Sequence, residues 1–160
     1  MSDVPQIATL GLARSDDAHE IAAMSRDLIE YGLPWSWTPA RVQRSIGGTH
    51  SSVVIARRSG GIAAFGIMHF GDDAAHLNLL GVLAEYRRQG LGRQLMSWFT
   101  ATAVEAGVFC INLELRTRNE AARRFYRALG FEELNVVPGY YQGQEAALRM
   151  TRSLSVRRPD

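Results

Sequence analysis

Six consecutive residues, Arg87-Arg88-Gln89-Gly90-Leu91-Gly92, bring together what a bound phosphate asks for. The two glycines stand where a mostly apolar run, His76 to Leu83, gives way to helical periodicity. A helix start offers backbone N–H groups with no partner inside the helix, and the positive end of the helix dipole. Glycines remove side chains that would hold an anion off, and arginines, with Arg93 one residue further on, add charge. In physical terms that is a pyrophosphate cradle. The same spacing also fits a plain strand-to-helix turn with solvated arginines. Two other phosphate loops are excluded. No Gly-Lys-Ser/Thr follows, so this is not a P-loop. Position 95 is Leu, so the dinucleotide GxGxxG pattern lacks its third glycine.

Other side chains could take part in chemistry. Glu114 lies on the polar side of an alternating run and reads either as a proton acceptor or as a solvated carboxylate paired with Arg116. Asn119, Ala122 and Tyr126 share one helix face at i, i+3 and i+7. Trp35 and Trp37 either plug the core beneath a loop or line an acceptor groove. Cys110 sits in a strand with no adjacent His and reads as packing. His19, His50, His69 and His76 show no metal-ligand spacing, so no metal is expected.

The elements that must position these groups follow from periodicity and turn chemistry. A first strand is expected from Ile7 to Leu12, and a helix opens at Ser15-Asp16-Asp17, with an apolar stripe of Ile21, Met24, Leu28 and Ile29. Tyr31 to Pro39 is a loop. Thr38 then Pro39 reads as a helix cap with proline at the first helical position, opening a short helix to about Ile46. Strands Ser52–Arg57 and Ile62–Phe70 meet at a Ser59-Gly60-Gly61 hairpin, and a third starts at His76. After the glycine turn, Leu91, Leu95, Trp98, Phe99, Thr102 and Ala106 form a helix stripe. Phe109 to Leu115 alternates cleanly as a strand. Thr117-Arg-Asn-Glu120 fits a capping box, and the helix from Asn119 to Leu129 ends at Gly130. Phe131–Val136 is a strand, Pro138–Gly143 a loop and Glu145–Ser153 the last strand.

The chain has 160 residues, enough for one domain with a real core, expected over residues 1–155 with a frayed tail at 156–160. A net charge of +2 is too small to argue for nucleic acid, and no apolar run is long enough to span a membrane. One cysteine and no secretion signal point to a cytoplasmic protein; a monomer or homodimer is expected, with nothing in the sequence to choose between them.

The Arg87-x-x-Gly90-x-Gly92 turn, after a strand ending at Val82, resembles the acetyl-CoA signature of the GNAT N-acetyltransferases. Asn119-x-x-Ala122-x-x-x-Tyr126-x-x-x-Gly130-Phe131 resembles that family's second block, about 30 residues on, where the family has it. The resemblance implies an α/β fold, a central twisted, mostly antiparallel sheet with splayed central strands flanked by helices. The order β-α-α-β-β-β-α-β-α-β-β matches it. It also implies acetyl-CoA as acetyl donor, held by Leu80, Gly81 and Val82 of the strand, by Arg87 to Arg93 of the turn, and by Asn119, Ala122 and Tyr126.

A finer resemblance is to the RimI-type enzymes, which acetylate the N-terminal alanine of a ribosomal protein. Its pieces are Leu113-Glu114-Leu115-Arg116, Gly139-Tyr140-Tyr141 followed by Glu145-Ala-Ala147 and Met150, and Pro34-Trp35-Ser36. The chain departs from that pattern in a shorter Tyr-Tyr to Glu interval, in Ala146 where an Asp stands, and in the additional Trp37.

The resemblance implies Glu114 as the base that takes the amine's proton and Tyr126 as the donor to the leaving thiolate, in direct transfer within a ternary complex. A backbone N–H near Leu80 to Val82 would meet the oxyanion. Trp35, Trp37, Tyr140 and Tyr141 would line the acceptor site. The expected acceptor is a protein N-terminal α-amine. The alternatives are a small amine (amino acid, polyamine or antibiotic-like amine) or a CoA-binding regulatory module without turnover.

Overall fold

The computed structural model describes residues 8–154. Its seven strands run in the sheet order β1-β2-β3-β4-β5-β7-β6. In chain order these are β1 (Thr9–Leu12), β2 (Ser51–Arg58), β3 (Gly61–Phe70), β4 (Ala74–Val82), β5 (Cys110–Arg116), β6 (Glu132–Tyr141) and β7 (Glu145–Ser153). Four helices accompany them: α1 (Ala18–Leu28), α2 (Pro39–Gly47), α3 (Leu91–Ala106) and α4 (Glu120–Ala128). Ile7 and the 156–160 tail lie outside the described residues. Among the described residues no helix is long and apolar enough to cross a membrane.

The chain divides into two compact units, with divisions inside β3, β4 and α3. The first holds the chain through Ile67 and Leu79–Ser97. Here β1 pairs antiparallel with β2, from Thr9 opposite Arg57 to Leu12 opposite Val54. The Asp17 carboxylate accepts from the Arg14 N–H at 2.8 Å and from the Arg57 guanidinium at 2.8 and 3.0 Å, fixing the entry to α1. Thr38 caps α2 through the Arg41 N–H, with Pro39 at the first helical position, as the sequence predicts. The core of this unit is built from Ile21, Ala22 and Met24 of α1, Val42 of α2, Val53 and Ile55 of β2, Ile62, Phe65 and Ile67 of β3, and Leu79 of β4.

The second unit holds Met68–Asn78 and the chain from Trp98 onward. β5 alternates as expected: Ile111, Leu113 and Leu115 are buried, while Asn112, Glu114 and Arg116 are half-buried on the other face. β5 pairs antiparallel with β7 along its whole length, placing Glu114 opposite Arg149. On its other side β5 pairs in parallel with β4, from Ala74 opposite Cys110 to Leu77 opposite Leu113. Glu114 is therefore the first residue of β5 beyond that ladder.

Three local expectations are corrected. The strand expected to stop at Val136 continues as β6 to Tyr141, through Pro138 and Gly139. A proline costs no ladder bond on an edge strand, and β6 is last in the sheet order. A register shift between Val137 and Tyr141, with Gly139 at φ +65°, absorbs the irregularity. The cap of α4 is Asn119, whose side chain accepts from the Ala122 N–H at 3.0 Å, rather than a box begun by Thr117. The buried stripe of α3 is Leu91, Leu95, Met96, Phe99 and Ala103, and Ala106 is exposed.

Candidate active site

In the first unit β4 ends at Val82, and the Leu83 N–H donates to Ala63 O at 2.9 Å. A single 3-10 turn, Ala84–Tyr86, leads into the glycine turn. There Arg88 takes φ +64° and Gly90 φ +81°. At Gly90 that is a backbone region glycine enters without strain, and the turn delivers the chain into α3. Gly90 O accepts from the Gln94 N–H at 3.0 Å, the first bond of α3. The amides of Leu91, Gly92 and Arg93 thus precede any intrahelical acceptor. Arg87, Arg88 and Gln89 are exposed, and the Arg87 Nε–H donates to Val82 O at 3.2 Å. A Cβ built on Gly90 would meet nothing nearer than Gln94 Nε2 at 4.0 Å, so the concavity is open. These features fit a pyrophosphate.

Gly81 is different. A Cβ there would lie 2.8 Å from Phe65 Cε1 and 3.5 Å from Ile29 Cδ1, so close packing demands the glycine. Its neighbours Leu80 and Val82 are half-buried. Of the two loop tryptophans, Trp35 keeps 38% of its surface and lies 5.3 Å from the Arg26 guanidinium. Trp37 keeps 8% and belongs to the core, with the Arg41 guanidinium 3.8 Å above its ring. Of the two readings open for Trp37, core plug or groove lining, its burial favours the packing one. Trp35 remains displayed.

In the second unit Glu114 is the hub of a polar cluster. Its Oε2 lies 2.5 Å from His76 Nε2, and its Oε1 lies 3.4 Å from Arg149 Nε. Burial and the charge of the same carboxylate raise the Tyr140 phenol above its ordinary pKa. His76 Nδ1 lies 2.7 Å from Asn78 Oδ1. Both ring nitrogens thus face oxygens, an arrangement that the doubly protonated ring satisfies. Burial pushes the Glu114 carboxyl up, but the His76 hydrogen bond and charge together with Arg149 outweigh it, and the net shift is below the ordinary carboxylate value. The Glu114 hydrogen bond raises His76 above the usual imidazole value, against burial and Arg149. Beside this cluster, Arg116 and Arg118 flank the Glu145 carboxylate at 3.5 and 3.7 Å.

Tyr126 of α4 is buried, edge-on to Phe125 at 5.1 Å and to Phe131 at 5.4 Å. Burial and the nearby Tyr141 raise its pKa well above that of a free phenol, so it stays protonated. Of the other residues on its face, Ala122 is half-buried and Asn119 is exposed, its side-chain oxygen used in the cap. Tyr140 and Tyr141 meet edge-on at 5.0 Å, the first exposed and the second half-buried and raised in pKa by burial.

The structure thus gathers Glu114 and Tyr140 into one cluster and adds two members that the sequence did not single out, His76 and Arg149. The signal for His76 was its i, i+2 spacing with Asn78 on one strand face. Arg149 becomes visible only once the register of β5 with β7 is known.

A family model described as an acetyltransferase (GNAT) domain matches residues 49–133, just over half the chain. The [ribosomal protein bS18]-alanine N-acetyltransferase of Escherichia coli (strain K12) is 36% identical over 102 residues, covering 62% of this chain and 69% of that protein. The N-alpha-acetyltransferase RimI of Mycobacterium tuberculosis is 30% identical over 138 residues, 84% of each. The crystal structure of the ribosomal-protein-S18-alanine N-acetyltransferase from Escherichia coli superposes with a TM-score of 0.78 at 27% identity, over 95% of this chain and 97% of that one.

Proposed function

The chain belongs to the GNAT acetyltransferases and is an acetyl-CoA-dependent N-acetyltransferase, and we propose that its acceptor is the α-amine of a protein N-terminus. The observation that carries the acceptor reading is the Glu114 site, where the carboxylate is held by His76 at 2.5 Å and Arg149 at 3.4 Å with Tyr140 near enough to feel its charge. It sets a carboxylate beside an aromatic residue of an exposed strand last in the sheet order, a surface suited to an extended peptide. The two relatives, one named for N-acetylation of an alanine of ribosomal protein bS18 and the other as an N-alpha-acetyltransferase, agree with it. Polycationic acceptors fit less well, because Glu114 is matched by His76 and Arg149 and Glu145 by Arg116 and Arg118.

Acetyl-CoA supplies an acetyl group activated as a thioester. The amides at the start of α3, with Arg87, Arg88 and Arg93, would hold its pyrophosphate, and the backbone of Leu80 to Val82 would lie along its pantetheine arm. The oxygen of Asn119 is used within α4, which leaves only its amide N–H groups for the coenzyme. Glu114 orients the incoming amine and takes its proton together with His76, the two titrating as a pair. Tyr126 remains a neutral phenol and donates a hydrogen bond to the departing sulfur. With its pKa raised, complete proton transfer to a thiolate (thiol pKa about 8.5) is unfavourable, and the hydrogen bond is its contribution.

The test is thiol release from acetyl-CoA with a panel of acceptors. A peptide beginning with alanine is expected to turn over and its N-acetylated form to be inert. Faster turnover of free amino acids, spermidine or an aminoglycoside would displace the peptide reading. Stabilisation by CoA with no release under any acceptor would indicate a binding module.

A further inference from the structure

The loop that displays Trp35 is held by a buried charge. Glu30 stands just past the end of α1 and is 7% exposed. Its Oε1 accepts from the Ser36 N–H at 2.8 Å, the Ser36 hydroxyl at 2.6 Å and the Trp37 N–H at 3.2 Å. Its Oε2 accepts from the Ser25 hydroxyl of α1 at 2.9 Å. One carboxylate thus joins the helix to the loop beyond it.

The backbone between is folded tightly to allow this. The Leu33 N–H donates to Glu30 O at 2.9 Å, and Gly32 takes φ +77°. Burying a carboxylate among neutral donors is a costly way to stabilise a fold, and apolar replacements do as well in many proteins. What this arrangement supplies is position. Trp37 is locked into the core on one side of Ser36, and Trp35 is presented to solvent on the other. The root of the loop also lies near β4, since Ile29 is within contact distance of Gly81.

We propose that Glu30 is the positioning residue of the acceptor site: its carboxylate ties Ser36 and Trp37 to the end of α1 and so sets where Trp35 stands. This rests on the reading of Trp35 as part of the acceptor wall. Glu30 touches neither coenzyme nor reacting atoms in this role. Its loss lets Trp35 wander and weakens acceptor binding without altering the coenzyme cradle.

The experiment compares Glu30→Ala, Glu30→Gln, Ser36→Ala and Trp35→Ala, with acetyl-CoA and an N-terminal alanyl peptide as probes. Glu30→Ala is expected to raise the peptide KM about tenfold with the acetyl-CoA KM nearly constant, the pattern of lost acceptor binding. Glu30→Gln keeps the acceptor oxygen and recovers most of the loss. Hydrogen exchange at the Ser36 and Trp37 amides is expected to accelerate in Glu30→Ala, a readout independent of turnover. Should Glu30→Ala fail to fold, Ser36→Ala deletes only the 2.6 Å hydroxyl contact and is expected to move the peptide KM in the same direction, by about threefold. An unchanged peptide KM in the Glu30 and Ser36 variants, with a raised one in Trp35→Ala, overturns the role of Glu30 and leaves the acceptor reading standing. No effect of Trp35→Ala overturns both.

Discussion

His76→Gln should remove a stabilising ion pair that exists only on the acid side of the imidazole titration. The glutamine retains a donor near Glu114 but not the charge. A hydrogen bond to a charged partner contributes about 1.5–3 kcal/mol net. The His76 side chain is 39% exposed and Glu114 12%, so solvent screens the pair and the lower end applies, about 1–1.5 kcal/mol. The sign follows from the two shifts. His76 is raised above 6.5, so its contribution is complete below that pH and disappears as pH rises through the folded value. Glu114 is lowered below 4.5, so its contribution is complete above that pH and disappears as pH falls through the folded value. Between 4.5 and 6.5 both act in full.

Urea unfolding followed by tryptophan fluorescence reads this directly. A loss of about 1 kcal/mol moves the midpoint by roughly half a molar. A double-mutant cycle with Glu114→Gln isolates the pair from other effects of each change. The coupling energy should be about 1 kcal/mol near pH 5.5 and fall toward zero near pH 9. Equal coupling at both pH values, or none at the lower, would refute the ion pair.

Three further outcomes are expected. Tyr126→Phe should lower kcat about 10- to 100-fold, the low end for a proton-donating group, with acetyl-CoA binding by calorimetry unchanged; a matching loss of affinity would make Tyr126 a binding residue. Gly90→Val should weaken CoA at least about tenfold through backbone strain at φ +81° rather than by crowding, since the site of the Cβ is open; retained affinity would move the pyrophosphate elsewhere. Gly81→Ala drives a methyl to within 2.8 Å of Phe65 Cε1. That overpacking costs about 1–3 kcal/mol and should lower Tm by several degrees; an unshifted melt would show that Phe65 turns aside.

Local chemistry made part of this molecule legible. Thr38-Pro39 announces the start of α2 because capping is a matter of neighbours in sequence. The alternation of β5 announces which face carries Glu114, because strand period is local too. The strand-turn-helix around Gly90 is legible for the same reason. The remainder depends on partners distant in sequence. β6 passes through Pro138 and Gly139 because it is an edge strand, and edges are a property of the sheet. Asn119 outcompetes Thr117 as cap because the chain reaches helical dihedrals only after it. His76 and Arg149 become partners of Glu114 through strand pairing, which no spacing along the chain encodes. The same holds for Glu30, which reads as an ordinary residue past a helix end until Ser36 and Trp37 fold back onto it.

The lowered basicity of Glu114 constrains how the amine's proton leaves. An α-amine has a pKa of about 7.7–8.0, and the carboxyl lies below its ordinary 4.5. Deprotonating a free ammonium by this carboxylate is therefore uphill by more than about 4 kcal/mol. Glu114 takes the proton only as carbon–nitrogen bond formation acidifies the nitrogen. The neutral imidazole of His76, raised above 6.5 and 2.5 Å from Glu114, is the stronger proton acceptor of the pair and lies closer in pKa to the amine. Only its neutral form accepts, so the ion pair that stabilises the fold at acid pH is also what holds turnover back there. The kcat/KM of the wild type should rise through the His76 titration, and His76→Gln should erase that limb. The penalty of the substitution should be greatest, about tenfold, for the most basic amines and shrink as acceptor pKa falls. Acetylation rates for a series of alanyl and fluorinated amine acceptors, compared in wild type and His76→Gln, read that slope; a penalty independent of acceptor pKa would mean that the imidazole only props up the carboxylate and carries no proton.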